Sequence, residues 1–274
     1  MGVIKGLLDS RELTINLTLR ELRTKYKRSF LGWAWSLINP LATAAIYTLV
    51  FSFFLKVQAP PGEPSGLVSF PLFLLCALLP FQFFSNGINT SLGTLIGNSN
   101  LIKKAAFPRS ILVISTILSL TITLIIELGV LCVILLISGN FVIPWIPVAF
   151  GLVVIEFIFV VGISLMISAW NVDFRDLQYL VAIALQFLFY LTPVVYPITL
   201  VPKESDVFGM TIPLREIYRL NPLVRMVEAF RDVLYDMRFP TLTTVLYLLA
   251  WAIGVLVLGF LVFGRLEPRL AEEL

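Results

Sequence analysis

Glu127 and Glu156 are the residues best placed for acid–base chemistry, because each interrupts a long apolar run near its middle. An ionised carboxylate in hydrocarbon is expensive, so each must face a bundle interior, a wet cavity or a hydrogen-bonding neighbour. Two readings stay open: a polar lining or proton relay, and a structural carboxyl bonded to a neighbouring helix. Two carboxyls on separate runs do not specify a coupling ion. The chain has no histidine, which removes the commonest general base and much zinc chemistry. Cys76 and Cys132 each lie inside apolar runs and define no disulfide framework. No G-x-x-x-x-G-K-[ST] pattern occurs, so no P-loop cradles a nucleotide phosphate. If the work of this chain needs ATP, another chain must supply the site.

Basic chemistry is concentrated at the start. Seven Lys and Arg precede Trp33, against three acidic residues. Arg20, Arg23, Lys25, Lys27 and Arg28, with Trp33 and Trp35 after them, suit anionic lipid headgroups and a cytoplasmic N-terminus. Nucleic acid is a poor partner, since no large polar domain carries a binding surface. Residues 9–31 are expected to form an amphipathic helix lying on the membrane, opened by a capping box of Asp9 and Glu12. Its apolar stripe would be Ile15, Leu19, Leu22, Tyr26 and Phe30.

The elements that must position these groups are membrane spans. Of 274 residues, 58% are hydrophobic and 14% charged, and a soluble domain could not solvate that much apolar surface. A span needs roughly 20 mostly apolar residues. Six such segments are expected: Trp33–Leu55, Phe70–Ile88, Ile111–Ser138, Phe141–Ala169, Leu177–Tyr196 and Leu242–Phe263. The expected fold is all-α. Residues 1–32 form a cytoplasmic interface helix and 33–274 a six-span transmembrane domain, with 197–241 an extracytoplasmic re-entrant segment. Lys and Arg counts in the short connections put both termini in the cytoplasm. No cleavable signal peptide is evident.

Three further patterns are candidates for contact. Tyr47, Phe51 and Phe54 share a face of the first span; Phe73, Phe81 and Phe84 one of the second; Phe187 and Tyr190 one of the fifth. Sugar rings present C–H faces that pack on aromatic rings, so such walls suit a glycan; packing against lipid or other helices is the plain alternative. Asn100-Leu-Ile-Lys-Lys-Ala-Ala-Phe-Pro-Arg109 and Asp173-Phe-Arg-Asp176 are short segments able to dock in grooves of a soluble partner. Val224, Val227, Phe230, Val233 and Leu234 recur at helical spacing in the fifth connection, which suggests helices dipping back into the outer leaflet, where non-helical backbone must be buried in protein or line a cavity.

Arg23-x-Lys-Tyr26, Leu31-Gly-x-Ala-Trp-x-Leu-Ile-Asn-Pro40, Leu101-Ile-Lys-Lys-Ala-Ala-Phe-Pro108, Phe174-Arg-Asp176, Tyr190-Leu-Thr-Pro-Val-Val-Tyr-Pro197, Asn221-Pro222 and Phe230-Arg231 follow one another across nearly the whole chain. In that order they resemble the permease subunits of ABC-2 type polysaccharide exporters, which move teichoic acid, O-antigen or capsular chains on lipid carriers. The resemblance implies a permease homodimer in the bacterial cytoplasmic membrane, working with two copies of a cytoplasmic ABC ATPase that holds the ATP and Mg. It implies no catalysis and no metal in this chain. Asn100, Leu101, Ile102, Lys103, Lys104, Phe107, Pro108 and Arg109 would belong to the first ATPase-coupling segment, and Asp173, Phe174, Arg175 and Asp176 to the second. Arg20, Arg23, Lys25, Lys27, Arg28, Trp33 and Trp35 would meet a lipid pyrophosphate at its entry. Tyr47, Phe51, Phe81, Phe84, Phe187 and Tyr190 would line a glycan conduit, and Pro193, Tyr196, Pro197, Asn221 and Pro222 an outer gate. Rival readings are an ABC-2 lipid or drug exporter permease, an ion-coupled carrier using Glu127 and Glu156, and a glycolipid transferase.

Overall fold

A computed structural model describes residues 10–25, 29–104, 107–207 and 210–269. Among the described residues, the regular elements are helices except for one pair of short strands. Helix α1 is Arg11–Lys25 and α2 Trp35–Tyr47, which widens into a π-helical stretch, Thr48–Phe54. Then come α3 (Phe70–Gly97), α4 (Ser99–Lys104), α5 (Ser110–Ile137), α6 (Ile146–Asp173) and α7 (Leu177–Leu191). Strands β1 (Ser205–Val207) and β2 (Met210–Ile212) pair antiparallel. Helix α8 is Leu214–Tyr218, α9 Pro222–Arg231 with a π turn Asp232–Asp236, and α10 Leu242–Leu266.

Five of these elements are long and apolar enough to cross a membrane: α2 with its π extension, α3, α5, α6 with the short turn before it, and α10. Helix α7 is apolar but has only 15 residues, about 22 Å at 1.5 Å per residue, less than a hydrocarbon core of about 30 Å. The expected fifth span to Tyr196 therefore stops as a helix at Leu191. Pro193 has no N–H to continue the ladder and pushes Thr192 to extended backbone (ψ 134°).

Two other boundaries move. The second span continues past Ile88 to Gly97, so most of the polar 89–109 segment is helix. Asn89, Thr90, Ser91 and Thr94 are tolerated because Ser91 and Thr94 bond carbonyls of their own helix, Ile88 and Thr90. The interface helix is shorter than residues 9–31: Ser29–Leu31 are not helical, and Asp9 and Tyr26 lie outside the described residues. Its buried residues are Leu17, Thr18 and Leu22, whereas Ile15 and Leu19 are exposed. The helix turns that buried face onto α5, and Ile15 and Leu19 lie exposed on its flank beside Leu22.

Helix α3 is the axis of the bundle. Pro71 opens it at a position where a missing N–H costs nothing. Its other faces pack on α5, α6 and α9. Five buried hydroxyls of α5 (Ser115, Thr116, Ser119, Thr121, Thr123) donate to carbonyls three or four residues back, so none of the five is orphaned by its burial.

Helices α6 and α10 form the closest pair, crossing at Gly162 and Gly259. A Cβ at Gly162 would fall 2.6 Å from the backbone carbon of Val255, so only small residues allow this approach. Gly162→Leu should separate the helices and cost roughly 1–3 kcal/mol or more. Gly93→Ala, which meets nothing within 4 Å, should instead stabilise α3 by roughly 0.5–1 kcal/mol. Apparent Tm in detergent separates the two; equal values for both variants would contradict the crossing.

Candidate functional site

One face of the bundle carries a groove of about 370 Å³ between α2, α3 and α7. Its polar floor is a row on α3, Gln82, Ser85, Asn86 and Asn89, faced by Thr43 of α2 and Gln186 of α7. Offsets of 0, 3, 4 and 7 put the four α3 residues on one face of that helix. Its rim is aromatic: Tyr47, Phe81, Phe189 and Tyr190. Phe189 sits at the centre of that rim, 5.3 Å edge-on from Phe81, 5.9 Å from Tyr47 and 5.3 Å from Tyr190 between ring centroids. Amide and hydroxyl groups beside aromatic faces can bind a ligand that is itself half polar and half C–H. Helix α7 forms one wall, and Leu185 is its sole buried residue.

The rings predicted for the conduit separate into four settings. Tyr47, Phe81 and Tyr190 line the groove. Phe51 lies behind Tyr47 (6.0 Å) and continues to Phe70 (6.3 Å). Phe84 turns into the core and stacks on Phe159 at 6.0 Å, and Phe187 is 66% exposed on the outer face of α7. Gln82, Ser85, Asn86, Asn89, Gln186 and Phe189 were missed. The signal for them is the polar row recurring at helical spacing inside an otherwise apolar run.

At one end of the bundle lies the short helix α4. Ile102 is buried and Leu101 packs against the core, while Asn100, Lys103 and Lys104 point outward. Phe107, Pro108 and Arg109 are half-buried. The link Asp173–Asp176 is exposed, with Phe174 69% accessible. The first segment thus presents charge with Phe107 packed on the core, and the second presents charge around one exposed apolar knob, Phe174. Helix α1 reaches this end too: the Arg20 Nη2 donates 2.7 Å to Glu21 Oε1 and 2.6 Å to Asn98 Oδ1, just before α4. Arg23, Lys25 and Trp35 are exposed. Lys27, Arg28 and the side chain of Trp33 lie outside the described residues.

At the opposite end Arg231 of α9 is buried. Its Nη2 donates to Val194 O (2.6 Å), Nη1 to Pro193 O (2.5 Å) and Tyr196 O (3.5 Å), and Nε to Phe73 O (3.3 Å). The guanidinium also lies 3.6 Å from the Phe73 ring centre. One side chain therefore satisfies the carbonyls that Pro193 exposes after α7. Tyr235 does the same for the 56–69 connection, donating to Pro60 O and Leu67 O at 3.0 Å. The Tyr196 hydroxyl donates to Tyr190 O at 2.8 Å, and Pro197 precedes the short turn Ile198–Leu200. Asn221 caps α9, accepting from Leu223 N at 3.0 Å, with Pro222 in its first turn. Burial raises the carboxyls of Glu228, Asp232 and Asp236; Arg219 and Arg238 beside them oppose that shift.

Glu127 and Glu156 do not converge. Glu127 is half-buried beside a small cavity with Leu37, Pro40, Leu75 and Leu131, and Lys25 acts on it electrostatically. Glu156 is 1% exposed in α6, and its Oε2 has no hydrogen-bond partner among the described residues. Among the described residues, no three Asp, Glu or Cys side chains gather to hold a metal ion.

An open groove, five long apolar helices and two charged segments at one end suit a transporter. The model of one family, ABC-2 type transporter, matches residues 12–235. The chain belongs to that family. This ABC-2 protein is an integral membrane protein and a transport component. It is 30% identical over 268 residues to the O-antigen export system permease protein RfbA of Klebsiella pneumoniae, 96% of this chain and 95% of that one. The corresponding RfbA of Myxococcus xanthus is 28% identical over 273 residues, 99% of each chain. The polysialic acid transport protein KpsM of Escherichia coli is 24% identical over 263 residues, 93% of each.

Proposed function

We propose that this ABC-2 chain is the permease subunit of an ATP-driven exporter of polyprenyl-pyrophosphate-linked polysaccharide, of the O-antigen, capsular or teichoic acid kind. The observation that carries the reading is the α2–α3–α7 groove, where amides and hydroxyls lie between aromatic rims. A glycan offers hydroxyls to the first and C–H faces to the second. Kinship over nearly the full length with proteins named for O-antigen and polysialic acid transport supports the same class of cargo.

The groove is open on one side. A second copy of the chain, facing it through α2 and α7, closes it into a conduit, and two cytoplasmic ABC ATPases supply ATP and Mg. Helix α7 completes a sixth span by continuing through Thr192–Tyr196. Residues 1–32 lie at the cytoplasmic surface, 33–274 form the transmembrane domain, and 197–241 dip back at the outer surface. Arg20, Arg23 and Lys25 on α1 attract the pyrophosphate, and the polyprenyl tail stays in the bilayer. Closure of the ATPases on ATP pushes α4 and the Asp173–Asp176 link, and the two permease halves reorient around the polymer. Pro193, Tyr196, Pro197, Asn221 and Pro222 form the outer exit.

Reconstitution tests this directly. Permease and ATPase in liposomes, loaded with lipid-linked glycan extracted from the source cell's membranes, should make glycan accessible outside only with ATP. A complex that hydrolyses ATP but moves no such glycan sinks the proposal. Changing Lys103→Glu, Lys104→Glu and Phe107→Ala together should lower ATPase binding at least tenfold, about 1.4 kcal/mol. Unchanged assembly and unchanged hydrolysis would remove α4 from the coupling role.

A further inference from the structure

The coupling segment ends in a contact with the far end of the chain. Arg109 opens α5, and its backbone N–H is one of the donors a helix start leaves without an internal partner. That N–H donates to Glu267 Oε1 at 2.9 Å. The Arg109 guanidinium in turn donates, through Nη1, to the backbone carbonyl of Glu267. Glu267 is the residue that closes α10, and its own N–H still bonds Phe263 O at 2.8 Å. Each residue thus caps the other's helix: a carboxylate at the positive start of α5, a guanidinium at the negative end of α10. Both residues are half-buried, and the neighbours Ser110 and Phe263 are buried.

From this reciprocal cap we infer that Glu267 is a positioning residue for ATP-driven transport, holding the end of the coupling segment against the last span. The inference rests on the coupling role proposed for α4 and the residues up to Arg109. A helix pushed by an ATPase moves its bundle only if one end of the pushed segment is held. Helix α6 lies tight on α10 through Gly162 and Gly259, and α10 is tied through Glu267 to Arg109. A push at Lys103, Lys104 and Phe107 therefore reaches α5, α10 and α6 together. Without the tie, the start of α5 slips against α10 and absorbs the displacement while the ATPase still turns over. Pro108, which has no N–H and a fixed φ, passes the constraint from Arg109 toward Phe107.

The full complex with its ATPase, in liposomes carrying the same extracted lipid-linked glycan, reads this as glycan exposed per ATP hydrolysed. For Glu267→Ala, ATPase binding should match the wild type and hydrolysis should stay within about twofold, while glycan per ATP falls about tenfold. Glu267→Gln keeps an oxygen acceptor for the Arg109 N–H, so its ratio should fall less than threefold. An unchanged ratio in Glu267→Ala overturns the inference. So does a parallel loss of binding, hydrolysis and export, which marks a residue needed only for folding. The Lys103, Lys104 and Phe107 variant separates this from the underlying reading. If that variant loses ATPase binding and Glu267→Ala retains full coupling, the tie alone is wrong. If the triple variant is unaffected, the coupling role falls first.

Discussion

Arg231→Met should be strongly destabilising. The side chain keeps its volume but loses the donors that reach Phe73, Pro193, Val194 and Tyr196 carbonyls. Each buried carbonyl left without a partner costs about 1–3 kcal/mol. Several orphaned together, plus the lost contact on the Phe73 ring, give roughly 3–6 kcal/mol. For a chain of this size that is an apparent Tm lower by on the order of 10 °C. Arg231→Lys should recover only part of the loss, because one ammonium cannot span carbonyls that lie in different directions. Arg225 is the control. It bonds one carbonyl, Arg219 O at 2.7 Å, and rests 4.3 Å from the Tyr247 ring centre, so Arg225→Met should cost about 1 kcal/mol. Thermal unfolding by tryptophan fluorescence in detergent checks all three. A shift under about 2 °C for Arg231→Met, below 1 kcal/mol at this size, would mean that water or another donor replaces the guanidinium.

Filling the groove should abolish export while leaving the motor running. Asn86 is exposed and lines the groove without bonding another described residue in the polar row. Asn86→Trp therefore adds bulk where it disturbs no core packing. A polymer that must pass along Gln82, Asn86 and Gln186 meets that indole directly. Export should fall at least tenfold, a rise of about 1.4 kcal/mol in the barrier, with ATPase binding and basal hydrolysis retained. Leu246→Trp, on an exposed face of α10 at 56% accessibility, adds the same bulk away from the groove and should leave export unchanged. Phe84→Leu serves as the complementary test. Phe84 stacks on Phe159 inside the bundle, so its loss should lower Tm without changing export per folded molecule. Export unaffected by Asn86→Trp would place the polymer path elsewhere.

Much of the architecture is legible without coordinates. Runs of apolar residues long enough to cross hydrocarbon mark five spans, because lipid imposes a length and composition that few other environments tolerate. Asn221-Pro222 starts α9 and Pro71 starts α3 through local backbone chemistry that any fold would share. The segment Asn100–Arg109 also reads as an amphipathic piece: Ile102 turns in, while Lys103 and Lys104 turn out.

What the residues alone do not encode is which way an apolar helix faces. Phe81 and Phe84 are three positions apart on α3, yet one lines the groove and the other stacks in the core. The polar row Gln82, Ser85, Asn86 and Asn89 marks the groove side of α3, but what covers the other faces is decided by the neighbours, and Phe159 of α6 stacks on Phe84. Helix α1 shows a related effect: of its expected stripe Leu22 is buried while Ile15 and Leu19 are exposed, and contact with α5 brings Leu17 and Thr18 into the buried face instead. Long-range partners are equally invisible. Arg231 reads only as half of the Phe230-Arg231 pair, with no partner named for it, until α9 folds it beneath the carbonyls that Pro193 frees. Glu267 reads as a solvated tail charge, until the end of α10 meets the start of α5. Local chemistry and hydrocarbon thickness set the spans and their starts; the rotation of each helix and the meeting of distant ends are tertiary properties, because they depend on which surfaces become neighbours.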